Sequence, residues 1–120
     1  MLNKFHIMKF IENSIPLFFI LFTFSCHQKE EVHISNTIMF SEKLYELKQD
    51  KPFNGIVYNT YGNGKREYEG VYENGLPDGR LIYWYENGII KREGELKKGI
   101  PIGRWKEYDL DGSLKSQVDH

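Results

Sequence analysis

Four glutamates are the side chains whose spacing could support acid–base chemistry. They are Glu67, Glu69, Glu93 and Glu95. A pair of carboxylates is the usual apparatus for hydrolysing a glycosidic bond. These four residues alternate with other side chains along segments typical of β-strands, so we interpret them as the solvated face of a sheet. We therefore predict no catalytic site from them.

Over most of the chain, the His and Cys side chains that commonly serve nucleophilic catalysis or bind metal ions are absent. Residues 34–119 contain neither His nor Cys, so no Ser-His-Asp or Cys-His arrangement can be assembled there. His27, His33 and His120 lie near the ends of the predicted domain, and we expect no metal site from them. The protein is predicted to need no cofactor and not to be an enzyme.

Cys26 is the one cysteine, and it follows a segment typical of an export signal. Lysines precede an apolar run over residues 15–24, which is too short to span a bilayer as a helix. The ending T-F-S-C resembles a bacterial lipobox, in which the cysteine is diacylated and becomes the new N-terminus. We predict a signal peptide over 1–25, or a shorter one starting at Met8. The alternative is an unmodified cysteine in an uncleaved apolar segment.

A lipid on Cys26 predicts an exported protein held at the bacterial cell membrane or outer membrane. Residues 26–43 are polar and lack sustained periodicity, so we predict a tether there. The net charge is −1, and the basic residues of the repeats are balanced by glutamates. We therefore expect no nucleic-acid partner.

The remaining residues, 44–120, repeat one pattern. Gly55, Gly79 and Gly103 are evenly spaced, and an Asn-Gly or Asp-Gly follows each of them at the same distance. A period of about this length is typical of arrays whose units bury little surface alone. The predicted units are 55–78, 79–102 and 103–120, with a half-repeat at 44–54 that covers the first edge.

Each unit contains turn signals separated by strand-forming segments. Asn-Gly and Asp-Gly favour the type I′ turn, in which both central residues have positive φ. The segments between turns are rich in Tyr, Trp, Val and Ile, which favour strands. The predicted fold is all-β, a single-layer antiparallel β-meander of about three 24-residue hairpin repeats. Gly70 and Gly94 interrupt apolar strand faces, so we expect a ring from a neighbouring strand to lie across each.

Alignment of the units separates packing residues from candidate contacts. One column, with Val57, Leu81 and Trp105, is apolar in every unit, and we assign Leu81 and Trp105 to packing. Two further columns also contain Thr or Asp, so their sites cannot be fully buried in every unit. Trp and Tyr at such sites are enriched among binding hot spots. The candidate partner-binding residues are Trp84, Tyr85, Tyr61 and Tyr108. The alternative is that these rings only cover the sheet.

The pattern G-x-L/W-x-x-W/Y, ending in N-G and followed by E-G and G-x-P, resembles that of the variant MORN-repeat proteins. More narrowly it resembles the YwqK-family antitoxins, many of which are exported lipoproteins. The resemblance covers residues 44 to about 118. It implies a twisted β-meander with a binding role, and the antitoxin label implies a toxin as partner. We predict a non-enzymatic protein-binding module; the alternatives are an antitoxin or immunity protein, or glycan or cell-wall binding through exposed rings.

Overall fold

A computed structural model describes residues 28–120. The predicted signal peptide and the predicted lipidation site, Cys26, lie outside the described residues. Within the described range the chain forms nine strands and one short 3₁₀ helix, Ile34–Asn36, and no helix there could span a membrane. The strands are β1 Glu31–His33, β2 Thr37–Phe40, β3 Lys43–Glu46, β4 Gly55–Thr60, β5 Arg66–Glu73, β6 Leu76–Trp84, β7 Ile90–Lys97, β8 Ile100–Tyr108 and β9 Leu114–Asp119.

Seven of these strands form one sheet in the order β1-β4-β5-β6-β7-β8-β9, and β2 pairs with β3 in a separate two-stranded sheet. From β4 to β9 each strand pairs in antiparallel fashion with the next one along the chain. The predicted all-β meander is therefore confirmed. The period of the sequence is also visible in the strands. The offset from Arg66 to Ile90, which begin β5 and β7, equals the offset from Leu76 to Ile100, which begin β6 and β8.

The N-terminal segment differs from the prediction, because much of the expected tether at 26–43 is folded. β1 pairs in parallel with β4, from Glu31 opposite Ile56 to His33 opposite Tyr58. The first edge of the sheet is thus covered by β1 and not by the half-repeat at 44–54. Val32 explains the difference, since it is only 5% exposed and belongs to the core cluster of Leu44, Phe53 and Val57. A three-residue strand with a single buried side chain is too short to show periodicity.

The core of the sheet is a row in which large side chains face glycines. Val57 lies opposite Gly70, Gly70 opposite Leu81, and Leu81 opposite Gly94. A Cβ atom added to Gly94 would overlap the indole of Trp105, so the predicted ring across this glycine is present. At Gly70 the prediction is only half right. The covering atoms are a methyl of Leu81 and the ring of Tyr68, which is on the same strand.

The predicted type I′ conformation is wrong at the three Asn-Gly and Asp-Gly turns that end β4, β6 and β8. In each of them only the glycine has positive φ, as at Gly88 with φ 86°. Gly88 N donates to Tyr85 O at 2.9 Å, and Tyr85 N donates to Ile89 O at 2.8 Å. These bonds define a three-residue loop that ends in a left-handed glycine.

The asparagine of this loop has a different role from the one predicted. Its side chain acts as an acceptor, because Ile89 N donates to Asn87 Oδ1 at 3.0 Å. Two consecutive positive φ angles, as type I′ requires, do occur at the turn pairs Asn74-Gly75 and Lys98-Gly99, and also at Ser41-Glu42. The residue pair alone therefore does not decide the turn type, since loop length contributes as much.

The first loop offers a matched pair of glycines for testing this assignment. A Cβ atom on Gly62 or Gly64 would meet nothing within 4 Å, but only Gly64 has positive φ, at 83°. We expect Gly64→Ala to lower the free energy of unfolding by about 1–2 kcal/mol because the left-handed conformation is strained for alanine. Gly62→Ala should leave it unchanged or raise it by up to about 1 kcal/mol. Urea unfolding measures both, and equal losses would contradict the loop assignment.

Candidate functional site

The four predicted contact residues lie at one end of the sheet, where β4, β6 and β8 finish. Tyr61 follows β4, Trp84 ends β6, Tyr85 follows it, and Tyr108 ends β8. All four side chains are half-buried. We call this set of four residues the aromatic end. The structure brings them together as neighbours in successive units.

Two tyrosines of the aromatic end are hydrogen-bonded to the next unit. The Tyr61 hydroxyl donates to the Trp84 carbonyl oxygen at 2.7 Å, and the Tyr85 hydroxyl donates to the Tyr108 carbonyl oxygen at 2.8 Å. Each bond joins residues 23 positions apart, so each spans the boundary between repeats. The phenols of Tyr61 and Tyr85 therefore have a structural role, which column alignment alone did not reveal.

The Asn-Gly loops add a second contact with the same spacing. The Asn87 side-chain amide donates to the Leu110 carbonyl oxygen at 3.1 Å, while Asn63 makes a longer contact of 3.4 Å with a carboxylate oxygen of Glu86. Each loop is thus bonded to the loop of the next unit, which limits independent motion at this end of the sheet.

Tyr108 belongs to a charged cluster on the sheet face. Its hydroxyl donates to Glu93 Oε1 at 2.9 Å, and Arg80 Nη2 donates to Glu93 Oε2 at 2.9 Å. The hydrogen bond from Arg80 is the main reason that the pKa of Glu93 lies below its usual value. The same carboxylate raises the pKa of Tyr108 through its hydrogen bond. A carboxylate held ionised in this way is a poor proton donor, which argues against a role for Glu93 as a general acid.

The two tryptophans have different environments. Trp105 is 5% exposed, and its indole N–H donates to the Glu95 carbonyl oxygen at 3.2 Å. Leu81 is also buried, so both residues pack as predicted. Trp84 is half-buried, and within residues 28–120 its indole N–H donates no hydrogen bond. Its donor is therefore open to solvent or to a bound molecule.

A tyrosine-lined recess is a feature that the sequence reasoning did not single out. The cavity has a volume of about 380 Å³. Its lining consists of Ile34, Asn59, Glu67, Tyr68, Tyr72 and Tyr83. The alternation along β5 places Tyr68 and Tyr72 on one face, but the contribution of Tyr83 depends on the register of β6. Tyr68 lies opposite Tyr83 with ring centroids 5.2 Å apart.

Polar groups in this recess are partly satisfied by one another. The Tyr68 and Tyr72 hydroxyls are 3.1 Å apart, and Asn59 Nδ2 donates to Glu67 Oε2 at 2.8 Å. Burial, aided by the bond to Tyr72, raises the pKa of Tyr68 far above its ordinary value, so this phenol stays neutral at physiological pH. The recess therefore presents aromatic walls and one carboxylate. Among the described residues, no three His, Cys, Asp or Glu side chains are grouped so that they could hold a metal ion.

The bond between units at Tyr85 can be tested by removing its hydroxyl. We expect Tyr85→Phe to lower the free energy of unfolding by about 0.5–1.5 kcal/mol, because the Tyr108 carbonyl loses a donor while the ring is kept. Tyr83→Phe is the control, since no partner for the Tyr83 hydroxyl occurs in the described part of the chain. Chemical denaturation measures both variants. An unchanged denaturation midpoint for Tyr85→Phe would show that this hydrogen bond does not contribute to stability.

Comparison with known protein families finds the repeat in two copies. The family model described as MORN repeat variant matches residues 77–98 and 101–120. The two matched segments start at positions 77 and 101, which is the same offset as between the strands of successive units. Searches of the curated proteins and of the solved structures found no match. The narrower resemblance to YwqK-family antitoxins gains no support from these comparisons. Residues 77–98 and 101–120 are thus similar to the MORN repeat variant.

Proposed function

We propose that this chain is an exported, lipid-anchored repeat protein that binds a protein partner through its aromatic end and catalyses no reaction. The observation that carries the proposal is the environment of Trp84. Its indole is partly exposed and donates no hydrogen bond to any of residues 28–120, and its neighbours Tyr61 and Tyr85 are fixed by hydrogen bonds. A surface that is already ordered loses little conformational entropy on binding.

The shape of this end favours a protein over a small molecule. The cavity beside Tyr85 and Tyr108 has a volume of only about 160 Å³. Pockets for drug-sized ligands usually have volumes of about 300–1,000 Å³. A shallow surface with a partly exposed tryptophan is instead typical of a protein interface, where Trp and Tyr supply much of the binding energy.

A non-catalytic role is supported by the way the charged groups are used. Glu93 accepts hydrogen bonds from both Arg80 and Tyr108, and residues 34–119 contain no His or Cys. The match to a repeat model at 77–120 also favours a binding module over an enzyme. Export and lipidation are supported by the sequence before Cys26. In the antitoxin hypothesis the protein partner would be a toxin.

Glycan binding is the second candidate function, and the tyrosine recess favours it. Sugars present both apolar ring faces and hydroxyl groups, and the recess offers the matching surfaces. Tyr68 and Tyr83 provide the aromatic walls, while Asn59 and Glu67 provide polar groups. Titration with soluble cell-wall fragments, followed by tyrosine fluorescence or NMR, would distinguish this candidate from binding at the aromatic end.

Replacement of Trp84 tests the proposed contact. The partner is first isolated by cross-linking from the native cell envelope and then titrated against purified protein. We expect Trp84→Ala to weaken this binding by about 1 kcal/mol or more, while the melting temperature stays nearly constant. Ile100→Ala is the matched control, because Ile100 is 66% exposed and lies at the opposite end of the sheet.

The opposite result would assign Trp84 to packing. In that case Trp84→Ala would lower the free energy of unfolding by about 3–5 kcal/mol, as truncation of a buried aromatic residue does. The affinity of the remaining folded protein for the partner would be unchanged.

The lipid anchor has its own test. Expressed in a bacterial host, the chain is expected to incorporate a palmitate analogue, because Cys26 follows the predicted signal directly. Cys26→Ala should abolish the label. Labelling that persists in this variant would contradict anchoring through Cys26.

A further inference from the structure

The β2–β3 hairpin exposes three consecutive apolar side chains, Ile38, Met39 and Phe40. They are 55%, 60% and 68% exposed, and we call them the hairpin tip. A two-residue turn, Ser41-Glu42 with φ of 48° and 64°, follows them directly. Single exposed apolar residues are common, but three of them beside one hairpin turn indicate an interaction surface.

Hydrogen bonds hold this hairpin at the end of the sheet opposite to the aromatic end. Leu44 N donates to Gly75 O at 2.9 Å, and Gly75 lies in the turn between β5 and β6. Glu30, which precedes β1, is at the same end, because its carbonyl accepts a hydrogen bond from Ile56 N at the start of β4. The hairpin and the chain that leads back to Cys26 therefore lie at one end of the sheet.

The distance from Cys26 to the folded part is short. β1 begins at Glu31, only a few positions after Cys26. A stretch of about five extended residues spans at most about 18 Å. A lipid on Cys26 would thus hold this end of the sheet close to the membrane surface, much closer than an unfolded tether over 26–43 would allow.

The charges of the hairpin indicate how it would meet that surface. Glu42 and Lys43 lie at the turn, and Glu46 and Lys48 lie at the end of β3 and just after it. Because positive and negative side chains are balanced, attraction to anionic lipids contributes little. The apolar side chains remain as the source of binding energy, and such groups enter the headgroup region by about 5–10 Å.

We propose that the hairpin tip inserts into the phospholipid headgroup region of the membrane that holds Cys26. This inference rests on the proposed lipid anchor and adds an orientation to it. With the hairpin at the membrane, β6 leads away from the bilayer, and its nine residues separate Leu76 from Trp84 by about 26 Å. The aromatic end is thereby presented to partners in the aqueous space.

Photo-cross-linking on the full chain tests the proposal. A photoreactive benzophenone amino acid replaces Met39 in one sample and Ser113 in another, and each protein is reconstituted into phosphatidylcholine vesicles. Ser113 is the control because it follows the turn that ends β8, at the other end of the sheet. Illumination is expected to attach a phospholipid at position 39 and not at position 113, as detected by mass spectrometry. No lipid adduct at position 39, or an adduct with protein only, would overturn the proposal.

Two pairs of substitutions show whether the apolar side chains are responsible. Ile38→Ser with Phe40→Ser should lower the yield of lipid adduct at position 39 about tenfold or more, since two apolar groups no longer enter the membrane. Leu110→Ser with Leu114→Ser is the control. These residues are similarly exposed, at 63% and 53%, but they lie near the aromatic end of the sheet. An equal loss of adduct from both pairs would overturn insertion by the hairpin tip. Adducts that form only when anionic phosphatidylglycerol is added to the vesicles would also overturn it, because they would indicate binding through charge.

Palmitate labelling of the same samples separates this inference from the proposed anchor. A lipid adduct at position 39 without a label on Cys26 would support the hairpin surface and refute the anchor. A label on Cys26 without an adduct at position 39 would retain the anchor and refute the hairpin.

Discussion

The packing of a large side chain over a glycine on the neighbouring strand is the interaction on which this structure depends. The β2–β3 sheet reaches only the first strands of the main sheet, where Leu44 joins Val57 in the core cluster, and in the described residues no second sheet covers β6 to β9. The indole of Trp105 occupies the space above Gly94, and Leu81 lies against Gly70 in the same row. The glycines allow these side chains to lie flat, and the flat side chains shield the backbone that the glycines leave bare. The pairing of a large side chain with a glycine continues from β4 to β7 and ends at the last hairpin, where Trp105 lies opposite Val118.

A second repeated constraint acts at the sheet end and decides which residues are available for binding. The hydroxyls of Tyr61 and Tyr85 are bonded to carbonyls of the following unit, so these rings are held in place by the fold itself. Trp84 supplies one of those carbonyls through its backbone, while its own indole makes no hydrogen bond within the described part of the chain. Tyr61 and Tyr85, which are held in place, thus lie beside the partly exposed side chain of Trp84. The binding surface proposed for this end would therefore be a by-product of the way in which the repeats are joined.

The sequence was sufficient to predict the meander, because the regular spacing of glycines and turn pairs is independent of tertiary contacts. It was not sufficient for the turn type at Asn87-Gly88, where loop length and the side-chain acceptor outweigh the preference of the residue pair. β1 could not be predicted, since its pairing with β4 depends on the single buried side chain of Val32. The aromatic end was found by aligning columns, but the bonds of its tyrosines depend on the β-bulges that shift the register near Thr60 and Trp84. The tyrosine recess likewise required the register of β5 against β6.

The parallel strand β1 has a consequence for the order of folding. Every other pairing in the two sheets joins strands that are consecutive in the chain, and such local hairpins form rapidly because little loop entropy is lost. β1 must wait for β4, from which it is separated by the whole β2–β3 hairpin and the segment that follows it. As the chain is synthesised, β1 emerges first, yet it can pair with β4 only after the whole β2–β3 hairpin has also emerged. We expect the first edge of the sheet to stay open during that interval, which makes it the stage of biogenesis most exposed to mispairing with other chains.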